Sequence, residues 1–551
     1  MSLWKKIASV GLTASMLAAQ AGCSGALAEA QTPAQTDASE EAYNVLFITV
    51  DQEHFFSEYP EGSNYKARQL LAELGTTFEK HYCCSNMSTS SRAVMFTGLH
   101  IPLAGMIDNT DFVFQAAMDD SLTTIGDMMR EAGYYSAIKG KWHLGDASLM
   151  SDESELTDLN DYGYSDWGGK DYIGSVREGN EMDPVVVSEA LDWLENTGKS
   201  LNAAGQPFFL NVNMINPHDI MNYDATGYES SFMQLADKPD DPLYDKTYDV
   251  PIPATWDFDV NAPDVPDALR LYQEHWGLFA GVYHDPDVWQ DYQNYYFNCI
   301  QDSDNNLMNI LDYLMDNGMM DNTVIVFTAD HGEMQGSHGL KGKGGFMYEN
   351  NVHVPLIIVH PDYEGGRTVS TVTSHLDLAP TIVDLTNLPA ERKAEITAHL
   401  HGKSLMPLVS GAQERVRDAA LFCFQMLSMT AVTFEKGENG EYTRTLDVSR
   451  RGMVRGIATE QYKFVRYFTP IGFNMPTTIE DLYANNDVQL FDLKADPDEL
   501  VNLAADPEAN AELIMQMNDL MNRTILEEIG EDKGENMKKV LQYIKDLANA
   551  A

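Results

Sequence analysis

Asn44 to Val50, NVLFITV, is a nearly unbroken apolar run closed by Asp51. A run of this length without alternation is the pattern of a strand buried on both faces of a parallel sheet. Val324 to Thr328, with Asp330 just beyond, repeats it, and Tyr134 to Ile138 and Pro207 to Met214 read as further strands. Between them, Leu122 to Glu131 and Asn305 to Asn317 carry helical patterns. Strands alternating with helices predict an α/β fold, a mainly parallel sheet sandwiched by helices. Ligands of such sheets bind beyond the C-terminal ends of the strands. The polar residues that close two of these runs are therefore site candidates on pattern alone.

The pattern changes near residue 411. Val454 to Tyr467 gives short alternating strands, Leu490 to Leu493 another, and Pro507 to Ile529 a long helix. This predicts a large α/β unit over 43–410 and a C-terminal α+β unit over 411–551, built as a small antiparallel sheet plus helix. Tyr223 to Tyr292 is rich in Asp, Pro and Trp and reads as an insertion over the site rather than core. Its Trp256, Trp276 and Trp289 are either stacking surfaces for an aryl group or sugar face, or core.

The first residues read as an address. Lys5 and Lys6 precede an apolar run from Ile7 to Ala19, and Ala26-Leu27-Ala28 is an A-x-A cleavage pattern. This is a secretory signal peptide over 1–28, with a run too short for an ordinary membrane span. Residues 29–42 are polar and Ala-rich and read as a disordered leader. Export to the periplasm or the extracellular space is expected. A lipid anchor at Cys23 is the second reading, because Gln20-Ala21-Gly22-Cys23 partly resembles a lipoprotein box; Gln20 stands where an aliphatic residue is usual.

Composition narrows the partners. With 44% hydrophobic residues in 551, a large core can form. Against 36 basic residues stand 84 acidic ones, a net charge of −48. Such a surface repels phosphate backbones and argues against nucleic acid. It also weighs against a strongly anionic polymer substrate, unless the mouth of the site is locally basic. Cys83, Cys84, Cys299 and Cys423 are too few for a disulfide framework and lack zinc-site spacing.

Six segments carry candidate chemistry. Ser88-Thr89-Ser90-Ser91-Arg92 is followed by Thr97-Gly98. Alone it reads as a helix N-cap with a surface Arg. Val50-Asp51-Gln52, Gly140-Lys141-Trp142-His143-Leu144-Gly145, Asn216-Pro217-His218-Asp219, Ala329-Asp330-His331-Gly332-Glu333 and Lys341-Gly342-Lys343-Gly344 each have a bland reading too: a surface strand end with a packed Trp for the Gly140 segment, a turn or a solvated loop for the others. Taken in their order along the chain, they resemble the sulfatase family of the alkaline-phosphatase-like superfamily, over nearly all of residues 43 to 510. Asp-Gln in place of Asp-Asp resembles its choline-sulfatase and phosphonate monoester hydrolase branches. His401, within a segment similar to the end of the family's large domain, carries no catalytic expectation.

The resemblance implies a sulfuric ester hydrolase. Ser88 occupies the position of the Cys or Ser that the family oxidises to formylglycine. Cys84 is out of register, because Ser88 and not an Arg lies four residues beyond it. A hydrated aldehyde offers two hydroxyls: one attacks sulfur, and the other then loses its proton and expels sulfate. A plain Ser would be left as a slowly hydrolysed sulfate ester. The resemblance further implies one divalent ion held by Asp51, Gln52, Asp330, His331 and the modified Ser88. Carboxylate and amide oxygens suit Ca2+, while the His ligand would also suit Mn2+. Arg92 and Lys141 would hold the diol. Lys141, His143, His218 and Lys343 would surround the transferred group, with His218 or Lys343 nearest the leaving oxygen. Lys141 and His143, two residues apart, are expected to share one face of an extended segment.

The implied substrate is a small-molecule or saccharide sulfate ester. The implied maturation partner is an enzyme of the anaerobic Ser-type, although Ser90 replaces the Pro or Ala that such enzymes usually read. Two other functions stay open. One is a phosphodiester or phosphonate monoester hydrolase on the same scaffold, favoured by the Asp-Gln and Asp-His pairs. The other is a non-catalytic binding protein with Ser88 unmodified, against which the four retained cationic residues argue.

Overall fold

A computed structural model describes residues 42–112, 114–145, 158–168, 170–227, 234–436 and 442–550. The expected signal peptide, Cys23, and the leader up to residue 41 lie outside the described residues. Among the described residues no helix is long and apolar enough to cross a membrane.

The chain forms fifteen described strands. They are β1 (Asn44–Asp51), β2 (Thr76–Phe78), β3 (His81–Tyr82), β4 (Tyr135–Gly140), β5 (Phe208–Pro217), β6 (Thr323–Ala329), β7 (Leu356–Val359), β8 (Arg367–Val369), β9 (Thr373–Ser374), β10 (Ala420–Phe424), β11 (Val432–Lys436), β12 (Tyr442–Leu446), β13 (Met453–Ala458), β14 (Tyr462–Phe468) and β15 (Asp487–Asp492). Seven of them make one sheet in the order β4-β5-β1-β6-β7-β2-β8. The half that carries the long apolar runs is parallel: Val45 of β1 lies between Phe209 of β5 and Val324 of β6. Beyond it β7 turns antiparallel to β6. Every residue of β1, β5 and β6 is buried, as expected for strands covered on both sides.

Helices pack on both faces. One face is covered by Glu178–Trp193 and the 31-residue helix Pro286–Asp316, the other by elements that include Ser88–Thr97 and Ile125–Glu131. The helix expected from Leu122 starts at Ile125 because Thr124 and Asp127 form a capping box there. The helix expected near Asn305 begins at Pro286, behind an Asp285 side chain that accepts the Asp287 N–H.

That longer helix changes the reading of Tyr223 to Tyr292. Tyr223, Tyr244, Tyr283, Trp289 and Tyr292 form a buried aromatic cluster, and Trp289 is fully buried edge-on to Tyr283 at 4.9 Å. Trp276 packs in the main core beside Tyr272. Most rings of the segment are therefore core, with Trp256 partly buried, because aromatic side chains gain more by packing on the long helix than by facing water, while many of the residues between them stay exposed. The small antiparallel sheet has the order β10-β13-β14-β15, and Pro507–Glu528 packs against it.

Candidate active site

The parallel strands β1, β4, β5 and β6 all end on one edge of the sheet. β1 delivers Asp51, and the chain then turns through Gln52, which has a left-handed φ of 74°. β6 delivers Asp330 and His331 beside them, and the Asp330 carboxylate accepts the main-chain N–H groups of Gln52 at 3.1 Å and His331 at 2.9 Å. The Ser88–Thr97 helix begins at this edge, so Ser88 is its first residue. Arg92, one turn later, lies on the same face.

Ser88 Oγ is the point of convergence. It is 3.3 and 3.4 Å from the two oxygens of Asp51, 3.1 Å from His331 Nε2 and 3.1 Å from Lys343 Nζ. Lys343 also donates to Gln52 Oε1 at 3.0 Å and to His331 Nε2 at 2.9 Å. Lys141 Nζ lies 2.6 Å from Asp51, and Arg92 lies 3.5 Å from Asp51 and 3.1 Å from Asp330. Arg92 is fully buried, and its Nη1 donates to the Lys141 carbonyl.

His331 shows which atoms face inward. Its Nδ1 meets the Gly332 carbonyl at 3.1 Å and so carries the proton, leaving the Nε2 lone pair turned to Ser88 and Lys343. The carboxylates of Asp51 and Asp330 bring ligand atoms within 4.8 Å of that nitrogen and of one another. With Gln52 Oε1, these are oxygen and nitrogen lone pairs directed at one small volume, a donor set that fits a divalent cation. The electrostatics agree with a site built for charge. Burial alone would raise the Asp51 carboxyl, yet Lys141, Lys343, His218 and His331 hold it well below its ordinary value. Burial and then Asp51 push Asp330 up to about 6. Burial draws the Lys343 ammonium down to about 8, against the pull of Asp51 and Asp330.

His218 follows the end of β5, opens the short 3-10 helix His218–Asn222, and is buried. Burial holds its imidazole well below the ordinary value, with Lys343, Lys141 and His331 adding to that and Asp51 opposing it. His143 differs from expectation. β4 stops at Gly140, which has φ +85°, and His143 itself has φ 56°, so Lys141 and His143 are not on one face of an extended segment. The physical reason is Asp171, whose carboxylate accepts the main-chain N–H groups of both Trp142 and His143 at 2.9 Å and curls the segment. The His143 carbonyl accepts from Thr89 Oγ1 at 3.0 Å, which keeps the residue next to Ser88. Its Nε2 lies 3.7 Å from Asp111.

The sulfatase family model matches residues 43–388, more than half of the chain and all of these segments. The chain belongs to the sulfatase family. A second family model, the C-terminal region of N-sulphoglucosamine sulphohydrolase, matches residues 336–527 of this sulfatase. An uncharacterized sulfatase, YidJ, of Escherichia coli strain K12 is 28% identical over 58% of this chain and 62% of its own length, so the match spans less than two thirds of that relative. The N-acetylglucosamine-6-O-sulfatase of Bacteroides thetaiotaomicron is 24% identical over 90% of this chain and 87% of its own. Among solved structures, BT4656 in complex with D-glucosamine-2-N,6-O-disulfate superimposes with a TM-score of 0.64 at 20% identity, over 90% of this chain and 99% of that one. That likeness shows the fold.

Three site neighbours of this sulfatase, Asp111, Asp171 and Glu333, escaped the sequence reading. Asp171 lies in a loop without periodicity and gives no signal. Glu333 sits in the quoted Ala329 to Glu333 segment, and a third polar residue just past a strand end was a usable one.

Proposed function

We propose that the protein hydrolyses sulfate esters with Ser88, oxidised to formylglycine, as nucleophile. The observation that carries the reading is the convergence of Asp51, His331 and Lys343 on Ser88 Oγ within 3.4 Å, inside a ring of cations. Asp51, Gln52, Asp330 and His331 would hold one divalent ion, and Ca2+ suits three oxygen ligands better than Mn2+ does. The ion would supply positive charge at the nucleophile and lower its pKa. A hydrated aldehyde supplies two hydroxyls: one would attack sulfur and carry the sulfate, and the other would then lose its proton, re-form the carbonyl and expel sulfate.

The remaining work falls to this chain's side chains. Arg92 and Lys141 neutralise Asp51 and Asp330 and orient the nucleophile. Lys343 Nζ, 3.1 Å from Ser88 Oγ, can donate to an oxygen of the transferred group or of the leaving group. His218, kept neutral by burial, can hold a proton for the leaving oxygen only after taking one up. His143 is held by Asp171 beside the residue that follows the nucleophile.

A small-molecule or saccharide sulfate ester is the proposed substrate; the sulfated glucosamine bound by a structural neighbour supports the saccharide reading. Maturation by an anaerobic Ser-type enzyme and export to the periplasm or beyond complete the proposal. The experiment is a rate comparison on sulfate and phosphate esters of one leaving group, with matured protein. Faster turnover of the sulfate supports the reading, and faster turnover of the phosphate replaces it with a phosphoester hydrolase.

A further inference from the structure

Glu333 is a fully buried carboxylate at the site edge that none of the roles above uses. Its Oε2 accepts from Gln52 Nε2 at 2.5 Å. Its Oε1 accepts the Gly342 N–H at 2.7 Å, the Tyr292 hydroxyl at 3.0 Å and the Gln335 N–H at 3.1 Å. All four partners are donors, and a carboxylate offers acceptors only. Gln52 must therefore turn its NH2 group to Glu333 and its carbonyl oxygen away. That oxygen meets Lys343 Nζ, a donor only, at 3.0 Å, so both ends of the amide specify the same orientation.

The backbone of Gln52 is held as firmly as its side chain. Its N–H donates to Asp330 at 3.1 Å and its carbonyl accepts from the Tyr296 hydroxyl at 2.8 Å, which maintains the left-handed φ of 74° that a side-chain-bearing residue rarely adopts. Glu333 also reaches past Gln52. The Gly342 N–H that it accepts belongs to the residue before Lys343, so one carboxylate fixes both partners of the Lys343–Gln52 contact.

We propose that Glu333 is a positioning residue that requires an amide at position 52: it presents Gln52 Oε1 to the metal site and would repel a carboxylate in the same place. The inference rests on the reading of Gln52 as a metal ligand. It carries a counter-intuitive consequence. Gln52→Glu adds a negative oxygen to a cation site, which by charge alone should tighten a divalent ion. With Glu333 in place, the two carboxylates would face each other across the 2.5 Å now bridged by a hydrogen bond, and the new ligand would be driven out of position.

The test is an isosteric exchange. Ca2+ and Mn2+ affinities are measured by calorimetry on the full chain made without a maturation enzyme, so the readout is independent of turnover. The proteins are the unsubstituted chain, Asp330→Ala, Gln52→Glu, Glu333→Gln and the double exchange. Each single substitution at 52 or 333 should weaken binding about 10- to 100-fold, the range for residues that orient metal ligands. The double exchange restores a donor–acceptor pair with reversed polarity and should return affinity to within a few-fold. A Gln52→Glu protein that folds only when Glu333→Gln accompanies it supports the proposal equally. Tighter binding by Gln52→Glu, a double variant as weak as the product of the singles, or a double variant that does not fold overturns it. If the unsubstituted chain and Asp330→Ala bind both ions equally or not at all, the metal-site reading itself fails.

Discussion

Position 88 and position 84 show how the same fold treats two potential nucleophiles. Cys84 points its thiol at Ser374 Oγ, 3.0 Å away, and burial pushes that thiol up to about 12, which leaves it inert. Ser88 instead faces Asp51, His331 and Lys343. Lys343 touches both the nucleophile and Gln52, so its loss should be felt in the chemical step. Lys343→Ala is expected to lower turnover of an aryl sulfate about 100- to 1000-fold. The loss should shrink along a series of aryl sulfates with progressively better leaving groups, measured by steady-state rates, and an equal loss throughout would move Lys343 away from the leaving oxygen. Residues of this kind were legible in the sequence because each sits in a short contiguous motif, whether at a strand end, a helix start or in a loop. Asp171 and Asp111 were not, since their contacts are made across loops and depend on where the chain folds back.

At the scale of elements, the apolar runs located the strands well and the turns poorly. Asn44–Asp51 and Thr323–Ala329 needed only burial on both faces, a property visible in composition. The exit from β4 needed information that no periodicity holds. Gly140 has φ +85°, and a Cβ there would lie 2.1 Å from the Asn213 carbonyl oxygen of β5, the same oxygen that accepts the Lys141 N–H. Gly140→Ala should therefore push Lys141 off Asp51. A displacement of this order costs on the order of 100-fold in rate, with a destabilisation of about 1–3 kcal/mol from backbone strain. Aryl sulfate turnover and thermal unfolding of the same variant check both parts, and retention of full activity would show that the turn adapts. The burial of the rings before Tyr292 was not legible for a related reason. The segment's composition looks like a surface insertion, but a helix beginning at Pro286 gives its rings a surface on which to pack.

At the scale of the molecule, buried ion pairs tie the small sheet and its helix to the large one. Lys463 of β14 reaches Glu349 at 2.6 Å and Glu499 at 2.7 Å. Arg417 joins Asp377 to Glu528 of the Pro507–Glu528 helix, and His100 meets Glu528 at 2.8 Å. Burial alone would raise the Glu528 carboxyl, but Arg417 and His100 outweigh it and hold it at about 2, against an ordinary value of 4.5. The folded pKa is depressed, so the stabilisation is complete above about pH 4.5 and is lost as pH falls towards 2. It amounts to about 3 kcal/mol. The melting temperature of Glu528→Gln should accordingly change less between pH 6 and pH 3 than that of the unsubstituted chain, and equal slopes would remove Glu528 from the acid response. The central claim concerns Ser88, and the count of turnovers per molecule on an aryl sulfate tests it most directly. Protein made with an anaerobic Ser-type maturation enzyme and carrying the aldehyde mass at Ser88 should turn over repeatedly, and protein made without one should stop after at most a single turnover. Full-rate cycling by the unmodified protein would contradict the account and make Ser88 a plain alkoxide nucleophile of a phosphoester hydrolase.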